Sequence, residues 1–497
     1  MLHAHNFTTF IKKEIAEYSV LILLSLVSGI AVFRMFPYDT ASFFNSLIIL
    51  SLVVILFFKS SLRRLFYIHI YSESEYKLTE SITSVFVFSL LLSLFIFIVL
   101  FFGGLFLRIY HFPEFHQSAL VYFSVFLFFI LPTLMTEMIF ISGKNSNLTS
   151  VFRYSTLIMF ISSLVFPLIY HPDLLLILQF FALTAVIRFF VFLILLFDFQ
   201  MIDFFSVTLK RLRKYFVSFL DSISYDILFW LMIPVFYFSV YFNLEPEFQV
   251  IWATGFLVFA AIHFVVSEMM DHWNLIFKNF IRLDLSNEYV NYARHVNVWQ
   301  CILFFATAPF LLLVSVPLTE WVMTEMPDSV PVQILAVSMG LVSVAAYFFS
   351  NPMKELTVYF GRKKELVSLT LSSIAGTVIS SFFFSHLIGF WGIYFSLLLG
   401  GFIYWIGINV VVQQLLGCDF KYLFPYRVLA KIFLSGLLAT ASAYSVSLIP
   451  NIIFRETGWM AFVFYTTYTI MIIFFRVLKN ENGTGFANWT MRLGNLR

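Results

Sequence analysis

Apolar runs long enough to cross a bilayer recur along the whole chain, and no other feature limits its fold as strongly. A helix needs about 20 such residues to span the hydrocarbon. Fourteen runs reach that length: 16–36, 40–58, 82–110, 118–141, 151–170, 174–197, 217–241, 248–268, 296–316, 330–350, 366–386, 389–412, 428–449 and 458–477. The turns between them leave no room for an extramembrane domain. Of the 497 residues, 61% are hydrophobic and 11% charged, against roughly 25% charged in ordinary soluble domains. So few polar groups cannot cover so much apolar surface, and lipid must be the solvent. Membrane strands would instead be short and alternating. The expected fold class is therefore all-α: a polytopic membrane protein of about 14 transmembrane helices.

The first run is too long for a signal-peptide core and lacks a small-residue exit, being followed by Met35-Phe36-Pro37-Tyr38-Asp39. It is expected to stay as a span. Lys and Arg set the orientation. With the N-terminus inside, 26 of the 30 fall on the inner side, including Lys12-Lys13, Arg63-Arg64, Lys210-Arg211, Arg362-Lys363-Lys364 and the tail Arg492 and Arg497. Both termini are thus expected in the cytoplasm. Outer turns are acidic, as at Glu245/Glu247 and Glu320/Glu325/Asp328. The apolar residues of Met269-Met270…Trp273…Ile276-Phe277…Phe280-Ile281 fall three and four apart. That spacing suits a helix lying in the inner interface or a cytosolic extension of the eighth span.

Long basic inner connections follow spans two and four, and again spans eight and ten. This repeat predicts two bundles of six helices with parallel pseudo-symmetry. The expected division is a first bundle over 1–197, a cytoplasmic linker over 198–216, a second bundle over 217–427, and two extra helices with a cytoplasmic tail over 428–497.

Catalysis has little to stand on. The chain lacks a Gly-rich phosphate loop, a His-Glu-x-x-His, a Gly-x-Ser-x-Gly and paired cysteines; Cys301 and Cys418 lie far apart. No metal site and no catalytic residue is expected. A net charge of +3 gives no reason to expect nucleic acid.

Polar residues within spans are costly and usually face an interior or a wet cavity. Arg34 lies near the outer end of span one, either snorkelling to the interface or contacting an anion. Arg188 lies nine residues from the inner end of its span, about 14 Å deep, with Asp226 at a similar depth in the next. The two either neutralise one another or divide the work, with Arg188 meeting an anionic substrate and Asp226 binding a coupling ion. His263 either relays protons or packs. Gly400-Gly401 and Gly407 permit close helix approach. Nearby Tyr404, Trp405 and Asn409 either bind sugars or pack.

Several stretches resemble the multidrug/oligosaccharidyl-lipid/polysaccharide (MOP) exporter superfamily, in its polysaccharide (O-antigen type) flippase branch. They are Ala31-Val32-Phe33-Arg34-Met35-Phe36-Pro37, Ser60-Ser61-Leu62-Arg63-Arg64, Asn351-Pro352 through Tyr359-Phe360-Gly361-Arg362-Lys363-Lys364, and Ile388-Gly389-Phe390-Trp391-Gly392. The resemblance implies two bundles in a V around a hydrophilic cavity. It also implies transport of a polyprenyl-diphosphate-linked oligosaccharide across the bacterial inner membrane by alternating access. Arg34 would be a cavity cation and Asp226 an ion-coupling site. No cofactor is expected beyond a coupling proton or sodium ion. The expected partners are the lipid-linked oligosaccharide, membrane lipid and glycan-assembly proteins, around a monomer. The alternatives are an ion-coupled multidrug exporter of the same superfamily and a membrane glycosyltransferase or polymerase.

Overall fold

The computed structural model describes residues 36–70, 78–109, 114–142, 173–245, 251–260, 286–323, 353–447 and 453–475. It also describes parts of 151–167, 248–263 and 341–349, and residue 477. Arg34 and the stretch 269–285 lie outside the described residues. The helices are α1 (Tyr38–Ile70), α2 (Leu78–Ile109), α3 (Glu114–Ser142), α4 (Leu174–Asp198), α5 (Leu209–Tyr241) and α6 (Ser286–Met323). They continue with α7 (Met353–Tyr359), α8 (Lys363–Ile388), α9 (Trp391–Leu416), α10 (Phe420–Leu423), α11 (Tyr426–Ser447) and α12 (Ile453–Phe474). There is no strand among the described residues. Six of their helical stretches are long and apolar enough to cross a membrane, among them Thr79–Phe106, Leu174–Asp198 and Trp391–Leu416. The protein is an all-α, multi-pass membrane protein.

Helix exteriors are greasy, and the interiors hold hydroxyls alongside apolar side chains. On α2, Phe95 and Phe102 are each 62% exposed, and on α8 Phe382 is 72% exposed. Many buried Ser and Thr are satisfied by their own helices: Ser84 donates to the Glu80 carbonyl, Ser89 to Phe86 and Thr370 to Leu366. Where hydrocarbon offers no partner, such local bonds are the cheapest way to carry a hydroxyl through a span.

The described residues fall into two compact units, one within Leu23–Ala253 and one within Thr254–Arg497. In the first, α1 packs on α3 and α5, α2 on α3, and α3 on α4. Its core is dominated by buried Phe side chains, such as Phe44, Phe58, Phe86 and Phe192. The helix α5, which chain symmetry puts at the head of the second bundle, packs in this first unit. Phe219 of α5 meets Phe57 and Phe88 edge-on, and Arg211 is paired with Glu80 of α2.

In the second unit α8 and α9 form a tight hairpin, while α11 and α12 pack on one another and on α6. Glycine sets the hairpin's closeness. Ser373 of α8 donates to the Gly400 carbonyl at 2.7 Å, and a side chain at Gly400 would collide with Thr377. At Gly392, a Cβ would fall on the Phe384 carbonyl. The turn itself needs Gly389, whose φ is +61°. Gly392→Ala therefore should cost about 1–3 kcal/mol by overpacking and lower the thermal midpoint of the purified protein. Gly103→Ala, whose Cβ meets Leu120 at an ordinary 3.5 Å, should leave it unchanged. Equal midpoints for the two variants would contradict the backbone-contact account.

Candidate functional site

Arg188 sits in the middle of α4 and is only 5% exposed. Its Nε donates to Ser155 Oγ at 3.2 Å and its Nη2 to the Phe152 carbonyl at 3.4 Å. The guanidinium lies over the Phe152 ring, 4.1 Å from its centroid, with Phe192 at 5.7 Å. Stacking and hydrogen bonding suit a planar guanidinium and not an ammonium. Phe152 and Ser155 occupy the first turns of the expected span 151–170. The head group therefore lies nearer the end of that span than its α-carbon depth suggests. Asp226 falls within α5, and its side chain lies outside the described residues.

The other sequence candidates belong to the second unit. Tyr404 is 1% exposed and lies against Phe349 at 6.1 Å. Trp405 packs between Phe348 and Phe424. Asn409, one turn on, is fully buried; its Nδ2 donates to the Trp405 carbonyl at 2.8 Å, and its Oδ1 has no partner among the described residues. His263 is 3% exposed and stacked on Phe259 at 6.0 Å with the rings 9° from parallel. Phe259 in turn meets Phe349 edge-on. A continuous aromatic path thus joins His263 to Tyr404 through Phe259 and Phe349, which their separation in sequence does not suggest. Among the described residues, no group of three or more His, Cys, Asp or Glu could hold a metal ion.

Two features escape a reading of single residues. The first is a polar cluster between α1 and α5. Ser42 Oγ bonds Tyr241 Oη at 2.8 Å, and Ser46 Oγ bonds Tyr237 Oη at 2.7 Å. Ser46 also donates to the Ser42 carbonyl, so its one proton is used and Tyr237 must donate to it. Trp252 donates its indole N–H to the Tyr237 carbonyl at 3.1 Å, and its ring is 13° from parallel with the Tyr237 ring. Asn45, on the same helix, is fully buried, and among the described residues neither its Nδ2 nor its Oδ1 is bonded. An unpaired buried polar group costs about 1–3 kcal/mol. The matched four-residue spacings, 42/46 and 237/241, are the only trace of this cluster in the sequence.

The second is a groove of about 600 Å³ along the start of α8, lined by Lys363, Lys364, Ser368 and Ser372 with Val367, Leu371 and Ala375. Lys364 is exposed and Lys363 half-buried, and Val367 and Leu371 follow along the helix.

No family model matches the chain, and no curated protein matches it in sequence. Solved structures do match. The lipid II flippase MurJ, in an inward closed conformation, is 14% identical; the match covers 92% of this chain and 98% of that one, with a TM-score of 0.63. An outward-facing multidrug resistance MATE family transporter of the MOP superfamily is 14% identical over 81% of this chain and 96% of that one, at 0.59. The Vibrio cholerae MATE transporter VcmN in the bent form is 13% identical over 83% of this chain and 98% of that one, at 0.55. At such identities the likeness is one of fold, and the fold of this chain is that of MOP superfamily transporters.

Proposed function

We propose that this chain is a flippase carrying a polyprenyl-diphosphate-linked oligosaccharide across the bacterial inner membrane by alternating access. The observation that carries the reading is the reach of the flippase likeness. It extends over 92% of the chain, against 81% and 83% for the two MATE transporters. MurJ is named for a lipid cargo, and the motifs of this sequence suit a lipid-linked glycan.

The physical task is to move a diphosphate through a region where desolvating a charge is prohibitive. A wet chamber with guanidinium groups replaces water, because the planar fork of donors matches phosphate oxygens. The isoprenoid stays in lipid and needs no tunnel. Arg34 is the proposed diphosphate contact, and Arg188 supports it while bracing the 151–155 segment against α4. Asp226 and His263 are the proposed coupling groups for a proton or sodium ion. Tyr404, Trp405 and Asn409 are proposed on the glycan's path. On this reading the chain catalyses no bond change, acts as a monomer, and takes its cargo from glycan-assembly proteins.

The MATE likenesses favour a second reading, an ion-coupled multidrug exporter. Deleting the gene separates the two. The flippase reading expects lipid-linked oligosaccharide to accumulate facing the cytoplasm and surface glycan to fall. Drug hypersensitivity with intact surface glycan would overturn it in favour of the exporter. Arg34→Ala and Arg188→Ala should each reduce surface glycan at least tenfold at normal protein level. Only Arg188→Ala should also lower the thermal midpoint, by loss of contacts worth about 1–3 kcal/mol. Full glycan display with either variant removes that arginine from the transport path.

A further inference from the structure

The linker between α4 and α5 is pinned to the start of α2. The Asp203 N–H donates to Thr83 Oγ1 at 2.9 Å, the Phe204 ring lies against Phe86 and Phe197, and Ile202 is buried in the core. Just beyond, Arg211 is paired with Glu80. Thr83 and Phe86 belong to the first residues of the apolar run 82–110, and Glu80 lies just outside it. These contacts hold the linker level with the boundary where α2 leaves the hydrocarbon. The basic Lys210–Lys214 stretch marks that boundary as the cytoplasmic one.

Phe205 is left facing outward. Its N–H donates to Asp203 Oδ1 at 3.0 Å, and Ser206 returns its hydroxyl to the Asp203 carbonyl. The turn is thus closed on both sides of Phe205, yet its ring is fully exposed. Leu209, at the start of α5, is 86% exposed. From there an outward stripe runs along α5 through Arg213, Phe216 and Leu220, three and four residues apart, while Tyr215 and Phe219 turn inward. Lys210 and Lys214 are exposed beside that stripe. The sequence holds no acid between Asp203 and Asp221. Asp203 is engaged by the Phe205 N–H, and Asp198 lies back at the end of α4.

A bare phenylalanine ring at the level of the bilayer boundary is unfavourable in water and favourable among acyl chains. Long basic side chains lay their stems along the same apolar zone and carry their charges out to the headgroups, where anionic lipids attract them. Apolar rings and basic side chains side by side at one level are the composition of an interfacial anchor.

We propose that the linker and the first turns of α5 form a membrane-surface anchor, in which Phe205 and Leu209 enter the cytoplasmic leaflet and Lys210, Arg213 and Lys214 bind the headgroups of anionic phospholipids. The anchor stands whichever cargo the chain carries, since it depends only on the fold and on the lipid.

The test uses the full chain with Cys301 and Cys418 replaced by serine, Phe205→Cys introduced and an environment-sensitive fluorophore attached to it. The protein is placed in vesicles of phosphatidylcholine and phosphatidylglycerol. Emission should be blue-shifted from that of the label in water. A nitroxide near the headgroup end of a lipid chain should quench it more than one near the chain's tip. The reverse order is expected for a label at Phe95→Cys, near the middle of α2. Water-like emission without quenching, as for a ring kept for a soluble partner, overturns the anchor. At equal mole fraction, nitroxide phosphatidylglycerol should quench the label at position 205 about twofold more than nitroxide phosphatidylcholine. The excess should vanish at about 1 M salt, where the screening length falls to about 3 Å, and in the triple variant Lys210→Gln/Arg213→Gln/Lys214→Gln. Equal quenching by the two lipids at low salt overturns the headgroup contact. Should Phe205→Cys fail to fold, Leu209→Cys carries the same measurements.

Discussion

Hydrocarbon neither donates nor accepts hydrogen bonds, and that constraint shapes every level of this protein. Backbone groups must be met within helices, so the chain is helical throughout its described spans. Side-chain hydroxyls must be met too, and most turn back onto a carbonyl three or four residues earlier, as Ser84, Ser89 and Thr370 do. Apolar side chains, having nothing to lose in lipid, point outward along α2, α4 and α8. With no hydrophobic force to drive helices together, packing must come from close approach and from the few polar bonds that cross between helices. The glycine-lined α8–α9 hairpin uses the first route and the α1–α5 seam the second.

Within such a frame, polar groups that do not turn back on their own helix are the informative exceptions. Ser42 and Ser46 reach across to tyrosines nearly two hundred residues away. Arg188 reaches across to Ser155 and Phe152. Gln300 of α6 donates to the Tyr347 carbonyl, and Tyr347 and Thr307 share a hydroxyl bond. Among the described residues the Asn45 amide has no hydrogen-bond partner. A transporter must break and remake contacts, and a small number of uncharged bonds, each worth about 1 kcal/mol net, can be exchanged at low cost. On the flippase reading proposed above, arginine is the group suited to a phosphate.

Much of this architecture was legible in the sequence. Run length identifies the spans because membrane thickness is fixed. Gly400-Gly401 and Gly407 announce close packing because only glycine admits it. Side-chain partnership was less legible. For Arg188 the sequence offered Asp226 or an anionic substrate as partner, and nothing in it pointed to Ser155 and the Phe152 carbonyl, which the neighbouring segment supplies. Trp405 and Tyr404 suggested sugar contacts, and the structure adds that both are packed among phenylalanines. The 42/46 and 237/241 spacings were invisible as a pair: serine and tyrosine are common, and nothing local says that two helices so far apart in the chain will meet.

The most direct test of the central claim is transport by the purified chain in lipid vesicles. A fluorescent polyprenyl-diphosphate oligosaccharide is placed in the membrane, and its inner-leaflet fraction is followed with an impermeant quencher. The account predicts rapid exchange between leaflets in vesicles holding the protein and almost none in protein-free vesicles. Equal rates in the two, with the same protein moving a cationic drug across the same membrane, would contradict it.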